Sequence, residues 1–502
     1  MNKPNIVIVL ADDMGWGDLG CYGSAIPTPH IDALAARGVR AVDCHSASAV
    51  CTPSRYALMT GRYAWRGPLK NFVLMGHGPA LIEPERPTLA SLLRTAGYTT
   101  GAFGKWHLGL GWRQRDGSVR DAFAPGARLH DDVVTDFGRD IDYTAPFTGG
   151  PLELGFDRFY GIAGSLDMPP YAFLDQDRTV GVPDIEKPHY LTEQRPGLAV
   201  PGFDEAAVDT TFTTKAVEWI RSVPADRPFL AYVTPSAPHR PCVPPDVVRG
   251  ASGLGDRADA VCLVDWIVGQ LVDAIDERGQ REDTLFIVTS DNGAVMIFDD
   301  DGDSAVHRPN GDWRGQKGDL WDGGHREPFV ACWPGRLPEG GVLDAPICLT
   351  DVLPTVAAAA EVTLPDGAAP DGVDLLEALR GDATAAPPAD RPLVHHSLGG
   401  RFAIRRGPWK AIFAAGSGGG FSEPSISALF SSGSGKAHAN PPWDRDHPVG
   451  QLYDLADDPG ETVDLWQERP EVVADLYAAL RDICGDESSG LPFDVLIRPA
   501  RS

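Results

Sequence analysis

The stretch Ile6-Val7-Ile8-Val9-Leu10-Ala11-Asp12-Asp13 decides the fold. Its apolar residues stop abruptly at two carboxylates, too soon for a secretory leader and far short of the roughly 18 that span a bilayer. The run therefore reads as a buried strand that delivers Asp12 and Asp13 at its carboxyl end. Comparable runs at Tyr98–Phe103, Phe229–Thr234, Thr284–Ser290 and Phe329–Trp333 alternate with helix-period segments at His30–Arg37, Thr88–Ala96, Asp209–Val223 and Asp259–Arg278. Gly38 and Gly97 stand where a left-handed glycine closes a helix. This alternation predicts an α/β fold: a large mixed, mostly parallel sheet covered by helices on both faces.

Residues 116–201 are rich in Gly, Pro and Asp with little periodicity, and read as long loops over one sheet edge that shape a substrate pocket. A Pro/Ala/Gly/Asp-rich stretch, Leu364–Pro392, marks a boundary between a catalytic α/β domain over 1–380 and a small C-terminal α+β domain over 390–502. In the latter, strands near Leu393–Ser397, Arg401–Ile404 and Trp409–Phe413 and a helix near Glu471–Ile483 predict an antiparallel sheet with one helix. Gly416–Gly435 is Gly/Ser-rich and reads as a mobile loop, part of the pocket rim together with 116–201.

A formal charge of −26 over 502 residues repels polyanions, which argues against nucleic acid or an anionic membrane as partner. Eight cysteines show neither a framework spacing nor a C-x-x-C pair, so a disulfide scaffold or zinc ribbon is not expected and a reducing cytoplasm fits. A periplasmic or secreted protein is the alternative, should a leader have preceded this sequence.

Adjacent carboxylates at a strand end repel one another unless a cation sits between them. Ser290-Asp291-Asn292-Gly293 brings another carboxylate and an amide oxygen to a second strand end. Asp12, Asp13, Asp291 and Asn292 offer only oxygen, a donor set for Ca²⁺ ahead of Mg²⁺ or zinc. Taken alone, Asp12-Asp13 is equally a solvated turn and Asp291-Asn292-Gly293 a type I turn. Asp299-Asp300-Asp301-Gly302-Asp303 lacks the offset glycine and closing glutamate of an EF-hand and reads as a solvated loop.

In Cys51-Thr52-Pro53-Ser54-Arg55 a thiol precedes a proline that opens a helix. The free N–H groups of that helix, together with Arg55, favour negative charge at Cys51. The thiol alone is compatible with a core residue, half a disulfide, a nucleophile or a precursor. Lys105 and His107 end one strand, His239 follows another, and Lys317 lies among glycines; singly, each reads as solvated or structural. Together, beside an oxygen-lined metal site, they describe a receptor for an oxyanion.

Ala49-Val50-Cys51-Thr52-Pro53-Ser54-Arg55-Tyr56-Ala57-Leu58-Met59-Thr60-Gly61 resembles the signature of the sulfatase family, in the alkaline phosphatase superfamily, and Gly97–His107 resembles its second signature. The likeness continues through Ala11–Asp18, Asp291-Asn292-Gly293, Trp321-Asp322-Gly323-Gly324 and Leu452-Tyr453-Asp454-Leu455. Phe103 stands where a smaller residue is usual and His325 where an apolar one is, and His325 is expected to alter the pocket rim.

The resemblance implies an alkaline phosphatase-like catalytic fold. It implies an arylsulfatase-type enzyme that frees inorganic sulfate and an alcohol or phenol from a small sulfated substrate. It also implies that a formylglycine-generating enzyme oxidises Cys51 to formylglycine, guided by the Cys-x-Pro-x-Arg sequence. The hydrate of that aldehyde carries two hydroxyls on one carbon, one to attack sulfur and one to expel sulfate as the carbonyl re-forms. By the same resemblance, the modified Cys51 joins Asp12, Asp13, Asp291 and Asn292 around one calcium. Arg55 and Lys105 hold the hydrate and the sulfate. Lys317 and His239 bind sulfate and help protonate the leaving group, and His107 is the base of the elimination. A homo-oligomer is compatible with this reading.

Two alternatives stay open at this point. One is a formylglycine enzyme acting on phosphonate monoesters or phosphodiesters, which shares these motifs. The other is a calcium-dependent binding protein with Cys51 unmodified, against which the convergence of basic residues argues.

Overall fold

The computed structural model describes residues 3–127, 129–130, 137–187, 194–296, 307–414, 416–422 and 450–485. The expected loop at Asp299–Asp303 and most of Gly416–Gly435 lie outside these residues. The large sheet is built on β1 (Asn5–Ala11), β2 (Val39–His45), β3 (Thr99–Lys105), β4 (Arg158–Ile162), β5 (Phe229–Thr234), β6 (Thr284–Ser290) and β7 (Arg326–Cys332). Their spatial order is β2-β7-β6-β1-β5-β3-β4, with short strands added at both edges. β1 pairs in parallel with β6 and β5, and β3 with β5 and β4; β7 runs antiparallel to β6 and β2. The sheet is thus mixed and mostly parallel, as the alternating pattern predicts.

β1 is buried throughout because both its faces are covered. Side chains alternate across a strand, so Ile6, Ile8 and Leu10 enter one core while Val7, Val9 and Ala11 enter the other. The first core takes in α2 (Cys51–Thr60), α3 (Leu89–Thr95) and α6 (Val352–Ala359). The second takes in α1 (Pro29–Ala36), α4 (Val208–Ser222) and α5 (Asp256–Glu277).

Several local expectations change. α2 begins at Cys51, with Val50 as its N-cap, so Pro53 sits inside the first turn rather than opening the helix. Gly97 is left-handed (φ 92°), but Gly38 is not among the residues with positive φ. A Cβ at Gly38 would stand 2.2 Å from the Ala331 carbonyl oxygen, so this glycine lets the chain pass close against β7. β2 and β4 had no counterpart in the sequence reading.

A four-stranded antiparallel sheet follows, formed by β8 (Leu393–His396), β9 (Phe402–Arg406), β10 (Trp409–Ile412) and β11 (Gln451–Asp454). The amphipathic α7 (Pro470–Cys484) packs Val473, Leu476 and Leu480 against Leu393, Ile404 and Leu452. Lys410 on β10 ties this sheet to the large one, its Nζ 2.6 Å from Asp322 Oδ1 and 2.8 Å from Glu461 Oε1, all buried.

Lys410→Ala leaves two buried carboxylates without their shared cation. The expected loss is about 3–5 kcal/mol, read as a lower denaturant midpoint. Burial pushes the Asp322 carboxyl up, but Lys410 and then Arg326 bring it well below the usual range. Its contribution is therefore present above the unfolded carboxylate pKa of about 3.9, and is lost as pH falls through the depressed folded value.

Candidate active site

The register of β1 on β6 sets Ala11 opposite Ser290, so two acidic strand ends emerge side by side. Asp13 takes a left-handed backbone (φ 63°) and donates its N–H to Asp291 Oδ1 at 3.2 Å, while the Met14 N–H reaches Ser290 Oγ at 2.9 Å. Asp12, Asp13, Asp291 and Asn292 are all buried there. Lys105, at the end of β3, places Nζ 2.7 Å and 2.8 Å from the two Asp12 oxygens. Lys317 Nζ lies 2.6 Å from Asp13 Oδ1, and Arg55 directs Nε and Nη2 to Asp291 Oδ2, each at 2.8 Å. Cys51 Sγ stands 3.6 Å from Asp12 Oδ1, and His239 Nε2 is 3.6 Å from Asp13 Oδ2.

Burial raises the Asp12 carboxyl, yet Lys105 first, then His239, Arg55 and Lys317, pull it well below the ordinary range. Lys317 and His239 lower Asp13 in the same way against its burial. Burial would loosen the Arg55 and Lys317 protons, and the facing carboxylates more than reverse this, so both side chains stay charged. The favourable field expected at Cys51 does not win: burial pushes the thiol up to about 12, against Lys105 and Lys317. An unmodified Cys51 is therefore a neutral thiol at physiological pH.

The two histidines are poised differently. His107 is buried, donates Nε2–H to the Leu74 carbonyl at 2.7 Å, and keeps Nδ1 without a partner among the described residues. Burial, then Lys105 and Arg55, hold it well below its usual pKa, so Nδ1 presents a lone pair. His239 donates Nδ1–H to the Arg240 carbonyl at 2.6 Å, leaving Nε2 toward Asp13. Its pKa is lowered by burial and Lys317, against Asp13, Asp12 and Asp167.

The residues fit a hard divalent cation. Asn292 donates Nδ2 to Asp13 Oδ1 at 2.6 Å and to the Gly293 carbonyl at 3.0 Å, and its Oδ1 is buried with no partner among the described residues. That orphaned oxygen stands beside Asp12, Asp13 and Asp291, an all-oxygen set of the kind calcium takes. Ligand atoms of Asp12, Asp13, Cys51 and His239 fall within 4.8 Å of one another, which adds an imidazole to the expected group.

Supporting residues escaped the sequence reading. Asp209 at the start of α4 accepts from the Ser236 N–H at 2.8 Å, the Ser236 hydroxyl at 3.1 Å and the Ala237 N–H at 3.0 Å, holding the loop that carries His239. Burial raises its pKa to about 6. The Gly318 N–H donates to the Ala49 carbonyl at 2.7 Å, pinning the Lys317 loop to the segment before Cys51. A lone aspartate and a main-chain contact leave no spacing to read.

Cys51, His239 and Lys317 line one cleft that opens to solvent. Residues 116–201 contribute Asp167, Met168 and Arg195 to its wall and 416–435 contribute Phe421, joined by Phe72, Val73, Met75 and Leu398 from elsewhere. His325 does not reach this rim, contrary to expectation. It is wholly buried behind the site, where its Nδ1 meets His45 Nδ1 at 3.0 Å and its ring stacks on His395 with centroids 3.8 Å apart and planes 10° from parallel. Imidazole lone pairs lie in the ring plane, so an ion seated on one stacked ring lies out of the plane of the other. The three histidines are therefore a packed polar cluster rather than a metal centre.

Strand-end carboxylates, converging cations and a thiol at a helix start together make a pocket suited to an oxyanion ester. The chain belongs to the sulfatase family, whose pattern, described as Sulfatase, matches residues 4–362. It is similar to an N-acetylgalactosamine-6-O-sulfatase of Bacteroides thetaiotaomicron, 32% identical over 527 residues and covering 96% of this chain and 93% of that protein. It is also similar to Homo sapiens arylsulfatase A, 33% identical over 477 residues, covering 92% and 83%. A solved structure from work on the metabolism of multiple glycosaminoglycans by Bacteroides thetaiotaomicron matches with a TM-score of 0.79 at 29% identity, covering 96% of this chain and 99% of that one. The protein is a sulfuric ester hydrolase.

Proposed function

We propose that this enzyme hydrolyses sulfate esters through a formylglycine made from Cys51, assisted by a bound calcium. The observation that carries the reading is the convergence on Cys51 of three buried carboxylates, the orphaned Asn292 oxygen, and Arg55, Lys105 and Lys317. A neutral thiol in that setting is a poor nucleophile, whereas an aldehyde hydrate at the same carbon offers one hydroxyl to attack sulfur and a second to expel sulfate. Asp12, Asp13, Asp291 and Asn292 would hold the calcium, which would supply Lewis acidity at the reacting centre.

This chain's own residues do the rest. Arg55, Lys105 and Lys317 hold the nucleophile and the sulfate oxygens by charge. His239 takes up a second proton from solvent at Nε2, beside Asp13, and passes it to the departing alcohol oxygen, and His107 Nδ1 takes one from the second hydroxyl. Residues 51–55 are all buried, so the modifying enzyme must meet Cys51-Thr52-Pro53-Ser54-Arg55 before the fold closes over it.

The test of reaction class is kcat/KM on an aryl sulfate against an aryl phosphonate monoester; preference for the sulfate is expected, and preference for the phosphonate contradicts the reading. His239→Ala tests the acid. Its loss should reach about 100-fold on an alkyl sulfate but stay below about tenfold on 4-nitrophenyl sulfate, whose phenoxide leaves unaided.

A further inference from the structure

We propose that Asp167, with Arg240 beside it, recognises hydroxyl or amide N–H groups of the ester's alcohol half, so that the substrate is a sugar sulfate rather than an aryl or steryl one; this rests on the sulfatase reading above. Asp167 is 2% exposed and lines the cavity that holds Cys51, His239 and Lys317. Its main-chain carbonyl is anchored by the Arg195 N–H at 2.9 Å and the Tyr171 hydroxyl at 3.2 Å, which holds the backbone that carries the carboxylate. Oδ2 stands 3.6 Å from Arg240 Nη2, and Oδ1 is buried with no hydrogen-bond partner among the described residues.

An unpaired carboxylate oxygen sealed from water is costly unless a donor reaches it. An aryl or steryl skeleton brings no donor and would bury that oxygen still dry. A pyranose brings hydroxyls on the carbons neighbouring the sulfated one, with C–H faces suited to the Met75, Met168, Leu398 and Phe421 walls. Sites built to hydrogen-bond a substrate hydroxyl reject analogues that lack it far more strongly than apolar pockets reject a missing methylene.

The experiment is the ratio of kcat/KM for a panel of monosulfated hexoses and N-acetylhexosamines to that for 4-nitrophenyl sulfate, which has no donor. The ratio cancels any change in the amount of folded enzyme. Asp167→Ala should lower it by about 100-fold and Asp167→Asn, which keeps an accepting oxygen but loses the charge, by about tenfold. A ratio unchanged in both variants overturns the assignment, as does a wild-type enzyme that cleaves the aryl ester but no sulfated sugar. Cleavage of neither ester by the wild type would sink the sulfatase reading itself, and this inference with it.

Discussion

Cys51→Ala is expected to stop sulfate release, lowering kcat by roughly 10⁴-fold or more, the scale on which removing a covalent nucleophile acts. The side chain is small and buried, and among the described residues its thiol bonds only toward Asp12, so thermal unfolding should move little. Cys51→Ser should be nearly as inactive. Serine can attack sulfur, but its sulfate ester has no second hydroxyl on the same carbon with which to expel the product. Sulfate release assays beside a melting curve separate lost chemistry from lost fold. Near-full activity in the alanine variant would remove residue 51 from the mechanism.

The second large effect is expected from stripping divalent cations. Chelation should lower kcat by about 10²–10³-fold, the cost of removing a preorganised charge from the reacting centre. Calcium should restore it, and zinc should not, because carboxylate and amide oxygens outnumber the single imidazole among the available donors. Unfolding reads the same event independently of turnover. Calcium at 100 times its Kd should add about 2.7 kcal/mol of stability. The mutational counterpart, Asp291→Asn, weakens the cation and also leaves Arg55 short of its strongest partner, so activity and melting temperature should fall together. Full activity after exhaustive chelation would contradict the metal assignment.

The sequence was most legible where burial is complete. β1 and β6 are buried on both faces and therefore appear as unbroken apolar runs, and their register brings Asp12, Asp13, Asp291 and Asn292 together as expected. β2 escaped because Arg40 and Asp43 interrupt it: it lies toward the sheet edge, where a strand can leave side chains partly exposed. β4 was hidden among the loops of 116–201, and its Gly161 has no side chain to mark a face. Gly38 looked like a helix cap, yet its need is for space against Ala331, which only tertiary packing creates.

The site divides along the same line. Side chains at strand ends were found, while Asp167, a lone acid in a segment with no periodicity, and Asp209, which reads only as the start of a helix, took their meaning from what the fold set beside them. The field at Cys51 was misjudged for a related reason. Helix N–H groups and Arg55 can be read from sequence, but the depth of burial that overrides them cannot.

The most direct test of the central claim is the mass of the peptide carrying residue 51, taken from protein that releases sulfate. That residue is expected to have lost sulfur and two hydrogens and gained one oxygen, in a fraction that tracks specific activity across preparations. An unmodified cysteine throughout fully active protein would contradict it.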